Sequence, residues 1–174
     1  MRNTLAALAA LLVAAPAAAQ MHHDDASLAG ITGLYETVRG YVTAAAEQMP
    51  EEHYGFQPTP EVRSFGQLVG HVANASYMFC AGALGEQAPP TGNAEELTSK
   101  AELVSAVKAA FQYCDRAHRM DAMEAMETVQ LFGATHSRLS ALAFNMGHDF
   151  EHYGNMVTYM RIKGLVPPSS QSGG

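Results

Sequence analysis

The stretch HSRLSALAFNMGHDFEHYGNMVTYMRIK, residues 136–163, reads as one long helix stopped by Gly164 ahead of Pro167 and Pro168. It carries the run His148-Asp149-Phe150-Glu151-His152. Positions four apart on a helix differ by about 40° in direction and roughly 6 Å in rise, so His148 and His152 leave the same face. An isolated His71 lies far upstream, inside a second helical segment. Three imidazoles suit a divalent transition metal, and three protein ligands leave one coordination position open, the layout of a reactive centre rather than a sealed structural one.

Working outward, residues 27–49 place Leu28, Ile31, Leu34, Tyr35, Val38, Tyr41, Val42 and Ala45 at helical spacing, which makes a first helix. Pro50 and Gln57-Pro58-Thr59-Pro60 interrupt the pattern. Ser64 is a candidate N-cap for a second helix running to about Leu84 and containing His71. Gly82 to Asn93, with Pro89, Pro90 and Gly92, reads as a long loop. A third helix starts at Thr98 or Ser99, with Glu102 as capping partner, and extends toward Met120. Asp121 to Glu127 reads as a short helical piece, and Gln130 to Ala134 as irregular. The expectation is an all-α fold, a four-helix bundle without strands.

The 174 residues carry a formal charge of −7. Arg2, the apolar run Leu5 to Ala15 and the small residues Ala17-Ala18-Ala19 read as a signal peptide over 1–19. The expected domains are then 20–168 as the helical metal-binding domain and 169–174 as a disordered tail. No second long apolar run follows, so no membrane span is expected, and the expected location is a soluble periplasmic one. A mildly acidic chain lacking Lys/Arg clusters is a poor partner for nucleic acid. Two cysteines, Cys80 and Cys114, in an exported chain are expected to pair.

Further residues sharpen the reading. Phe56-Gln57-Pro58 leads into Arg63-Ser64-Phe65-Gly66-Gln67-Leu68-Val69-Gly70-His71, and Thr128-Val129-Gln130-Leu131-Phe132-Gly133 precedes the last helix. His148 to Asn155, with Tyr159-Met160-Arg161 beyond, completes the pattern. In these motifs the chain resembles the DinB-like superfamily, also called YfiT-like metal-dependent hydrolases, over nearly all of its mature length. Asn155 stands where that family often has glutamine. The resemblance implies a bundle with a long crossover between helices two and three, which run parallel, and a single divalent metal held by His71, His148 and His152. Parallel helices would bring Cys80 and Cys114 to the same bundle end, where a disulfide is geometrically reasonable. It also implies a small-molecule substrate and, in some relatives, a low-molecular-weight thiol as co-substrate in thiol transfer or isomerisation. Homodimerisation is considered but not specified by any residue.

Zinc and nickel head the candidate metals, with iron, copper and manganese also compatible with three imidazoles. A cation there would acidify a thiol or a water at its open position, which leaves thiol transfer and hydrolysis both open. Glu151 is a candidate general base or hydrogen-bond partner of the site, against the plainer reading of a solvated helix carboxylate. Tyr54 and Tyr153 are candidates only through proximity to the motifs. The H-x-x-E-H pattern of inverted zinc proteases fits His148 to His152, but no Asp or Glu follows Glu151 to serve as their downstream ligand. Met120, Met123 and Met126 repeat every three residues, as soft copper ligands would, or as a core-facing helix stripe. His22 would stand third from a new amino terminus after cleavage at Ala19. These last features favour the rival reading, a non-catalytic periplasmic metal-binding or metal-carrier protein.

Overall fold

A computed structural model describes residues 16–171, with side chains from residue 25 onward. The apolar part of the expected signal peptide, residues 1–15, lies outside the described residues, as do the side chains of Met21, His22 and His23. Four long helices build the domain: α1 (Pro16–Gln48), α2 (Phe65–Leu84), α3 (Lys100–Ala117) and, after a short α4 (Ala122–Met126), α5 (Arg138–Ile162). Between α4 and α5 sits a two-stranded antiparallel hairpin, β1 (Thr128–Leu131) and β2 (Ala134–Ser137). The bundle expectation therefore holds for the long helices, and the expectation of no strands does not. Residues 130–134 are not irregular, and the last helix begins at Arg138 instead of His136.

Local chemistry sets the helix ends. Ser64 accepts from the Gln67 backbone N–H while the Gln67 side chain accepts from the Ser64 N–H, a reciprocal cap at the start of α2. Ser99 caps α3 from one side only, accepting from the Glu102 N–H while its hydroxyl donates to the Glu102 carboxylate. Helix α2 ends at Gly85, whose φ of 72° is a left-handed conformation that glycine adopts without Cβ strain.

Contacts fix the directions. Tyr77 meets Tyr113 and Cys80 is joined to Cys114, so α2 and α3 run parallel. The disulfide bridges Cα atoms 5.2 Å apart at the C-terminal ends of both helices. Tyr35 bonds the Phe111 carbonyl and Arg39 pairs with Asp115, whereas Lys100 reaches Glu47 and Met49, so α1 is antiparallel to α3. Helix α5 runs antiparallel to α2, with Phe144 against Phe79 and Tyr159 bonding the Arg63 carbonyl.

The core is the apolar stripe of α1 (Tyr35, Val38, Val42, Ala45, Met49) closed over by Phe65, Val69 and Val72 of α2, Leu103 and Val107 of α3, and Leu142 and Met156 of α5. All of these are essentially buried, and truncating one such residue to alanine costs about 2–5 kcal/mol in well-packed cores. Among the described residues, no helix is long and apolar enough to cross a membrane.

Residues 169–171, expected within the tail, are described by the structure. Pro168–Ser170 form a 3-10 turn in which Ser169 exchanges hydrogen bonds with the Tyr153 hydroxyl and Ser170 accepts from Arg161. Residues 172–174 lie outside the described residues. Met120 is buried ahead of α4, whereas Met123 and Met126 are exposed on it, so the three do not form one core-facing stripe.

Candidate metal centre

Helix spacing sends His148 and His152 from adjacent turns of α5 toward α2, where His71 meets them. The three side chains form a cluster able to hold a metal ion, with one ligand atom of each within 4.8 Å of the others. His148 Nε2 lies 3.3 Å from His71 Nε2 and 3.1 Å from His152 Nε2. A tetrahedral ion with metal–nitrogen distances of about 2.0–2.1 Å spaces its ligand nitrogens about 3.3 Å apart, so the two separations from His148 match what such an ion requires. Three lone pairs at this range repel unless a proton or a cation sits between them. The imidazole of His152 is hard to protonate: burial comes first, then the nearby His148, His71 and Arg63, and together they push its pKa down to about 4.

Beyond the nitrogens, the site is held by a residue that sequence reasoning missed. Glu95 Oε1 lies 2.7 Å from His71 Nδ1, while Glu95 Oε2 accepts from Arg63 Nε at 2.8 Å. With its proton on Nδ1 and donated to Glu95, His71 leaves the Nε2 lone pair free to face the cluster. Burial alone would raise the Glu95 carboxyl, but hydrogen bonds and charge from Arg63 and His71 prevail and hold it below the usual carboxylate range.

Glu95 arrives from the crossover between α2 and α3, in a short 3-10 turn, Ala94–Glu96. The Asn74 side chain ties that turn down, accepting from the Ala94 N–H and donating to Asn93 Oδ1. Gly70 lets it approach: a Cβ there would sit 2.4 Å from the Ala94 carbonyl oxygen. The signal for Glu95 was therefore Gly70 beside His71, a glycine inside a helix where backbone must come close.

On the α5 side, buried Asp149 accepts from Asn145 Nδ2 at 3.2 Å and stands 3.9 Å from His148 Nδ1. Burial pushes its carboxyl up to about 6, against the opposing pull of His148. The Nδ1 atoms of His148 and His152 are buried without hydrogen-bond partners among the described residues.

His152 forms part of the wall of a cleft of about 610 Å³, open at the surface and lined also by Arg63, Gln67, Glu151, Asn155 and Tyr159. Glu151 thus stands at the cleft rim, exposed, with no side-chain hydrogen bond to any of the three histidines among the described residues. Tyr54 bonds the Ala46 carbonyl, and Tyr153 stacks on Tyr41 and bonds Ser169, so both hold the fold instead of facing the cleft. Tyr159 is the tyrosine that lines it.

Solved structures that share this architecture include two DinB-like proteins. A DinB-like protein from Bacillus cereus ATCC 10987 superposes with a TM-score of 0.70 at 16% identity, covering 80% of this chain and 94% of its own. The DinB-like protein YjoA from Bacillus subtilis gives 0.64 at 19% identity, covering 83% of this chain and 99% of its own. At such identities they establish the fold. No functionally curated protein matches the sequence. The sequence model of the DinB superfamily matches residues 34–156, from α1 through both histidines of α5. That match spans most of the chain, which belongs to the DinB superfamily.

Proposed function

We propose that this protein is an exported metal-dependent enzyme whose centre is His71, His148 and His152, acting in thiol transfer or hydrolysis on a small molecule. The observation that carries the reading is the cluster of three histidine nitrogens, two of their separations matching one divalent ion, bordered on its His152 side by an open cleft. A bound cation would supply Lewis acidity, lowering the pKa of a thiol or water at its open position. The protein's own residues do the remainder. Glu95 fixes the His71 tautomer and ring orientation, and Arg63 keeps Glu95 ionised for that task. Arg63, Gln67 and Asn155 present donors along the cleft for the polar part of a substrate. Glu151, at the rim, is placed to exchange protons with a molecule in the cleft.

Export is supported by the signal-like residues 1–19 and by the Cys80–Cys114 disulfide, a bond that persists in oxidising compartments. The test is activity after reconstitution. Zinc- or nickel-loaded protein is assayed with a thiol plus an electrophilic aryl halide, and separately with activated esters, beside His148→Ala. The reading expects turnover in one assay that requires the metal and disappears in the variant. Absence of turnover, combined with rapid surrender of the metal to a mild chelator, would instead establish a carrier.

A further inference from the structure

The side of the metal cluster away from the polar cleft is built from aromatic rings. Phe79 of α2 packs its ring 5.3 Å from the His148 ring, centroid to centroid. Phe144, one turn before His148 on α5, lies 5.0 Å from Phe79, and Phe132 completes the set at 5.7 Å from Phe79 and 5.3 Å from Phe144. The rings therefore step outward from the histidines to the surface. Phe79 is buried, but Phe144 and Phe132 are 50% and 63% exposed.

Phe132 is also in an unusual place. It is the first residue of the two-residue turn joining β1 to β2, with φ of 53°, followed by Gly133 with φ of 76°. Such turns favour Asn, Asp or Gly at the first position, because a left-handed backbone strains any residue with a bulky side chain. A phenylalanine held there with most of its ring in water is unfavourable twice over for folding. Arg138 anchors the base of the hairpin, donating to the Ala83 and Leu84 carbonyls at the end of α2 and pairing with Glu127. The hairpin is thus fastened to the helix that supplies Phe79 and His71.

The geometry points to Phe132 and Phe144, backed by the buried Phe79, as a specificity wall that receives an aryl group of the substrate while its reacting end lies over the histidines. This rests on the metal-dependent reading above. The histidine cluster is then flanked by two chemically distinct surfaces, aromatic at Phe132 and Phe144 beyond His148 and polar at Arg63, Gln67 and Asn155 beside His152. A ligand reaching the histidines from the His148 side, with one ring next to the coordinating group, would rest that ring on the wall. Offset or edge-to-face packing against two phenylalanines, with the area it buries, corresponds to roughly tenfold or more in affinity.

Two chelating probes test this on the zinc-loaded protein by calorimetry: acetohydroxamate, which offers only the chelating group, and 2-naphthohydroxamate, which adds the rings. They are measured on wild type, on Phe144→Ser, and on the double variant Phe132→Asn/Phe144→Ser, where asparagine tolerates the turn's backbone. The expected result is a preference of about tenfold or more for the naphthyl probe in wild type, reduced in Phe144→Ser and falling to about threefold or less in the double variant, with acetohydroxamate affinity unchanged. An equal preference in all three proteins would overturn the wall while leaving the metal centre standing. Failure of both probes to bind wild type would overturn the metal centre and the wall with it. Conversion of a dimer to a monomer in the double variant, seen by sedimentation, would show that the rings cover a second copy of the chain, and would also overturn the proposal.

Discussion

Substituting Gly70 by alanine tests how the site is held. A Cβ at position 70 would meet the Ala94 carbonyl oxygen at 2.4 Å, the Ala94 carbonyl carbon at 2.6 Å and the Glu95 nitrogen at 2.7 Å. All three are backbone atoms, so no rotamer change relieves the clash. Ordinary contact begins near 3.4 Å, so the crossover must retreat by about 1 Å. The His71–Glu95 hydrogen bond is 2.7 Å long, and a retreat of that size takes it beyond hydrogen-bonding range. Overpacking costs about 1–3 kcal/mol, and the gain from replacing a helix-interior glycine returns about 1 kcal/mol, leaving a net loss of about 0–2 kcal/mol. Losing the carboxylate partner of a ligating histidine typically weakens metal binding about 10–100-fold. Gly70→Ala is therefore expected to lower zinc affinity by that factor in a competition titration against a chromophoric chelator, and Glu95→Gln to do the same without the packing loss. Wild-type affinity in both variants would refute the argument that Glu95, carried in by the crossover, orients His71.

Groups away from the histidine cluster respond to pH, redox state and backbone strain. His118 stacks on Tyr35 at 3.8 Å between Arg39 of α1 and Asp115 of α3, and burial, only partly offset by Asp115, pushes its pKa down to about 4. The unfolded chain then binds a proton that the folded chain refuses, so stability falls as pH drops from about 6.5 toward 4, by about 3 kcal/mol at pH 4. Asp149, pushed up to about 6, acts in the opposite sense, so the effect is read as the difference between metal-free wild type and His118→Gln in denaturant melts at pH 7 and pH 4. An unchanged difference between those two pH values would sink it. Cys80 and Cys114 close a loop of sequence separation 34, and their joint replacement by alanine should cost about 3–4 kcal/mol, seen as a clearly lower Tm. Phe132→Gly should hold or raise the Tm, since it relieves a left-handed phenylalanine worth about 1 kcal/mol or more, and a marked fall would mean that the ring supports the fold.

The parts of this molecule that were legible in the sequence are those with a period. The stripe from Leu28 to Ala45 announced α1, and the four-residue spacing of His148 and His152 set both on one face. Ser64 with Gln67, and Ser99 with Glu102, marked helix starts through capping chemistry that is local in the chain. The hairpin escaped because its strands are four residues long and its turn is Phe-Gly, not Asn-Gly. Glu95 escaped for a different reason. It reaches His71 from a non-periodic crossover, and only tertiary packing against Gly70 brings the two together. Glu151 drew attention by its place between two histidines, yet a helix turns it toward the cleft rim while the carboxylate bonded to the triad comes from another element.

The most direct test of the central claim is elemental analysis of the purified, untagged protein, beside His148→Ala prepared identically. The account predicts about one divalent transition metal per chain in the parent and none in the variant. Absence of metal from both proteins, or equal metal in both, would contradict it.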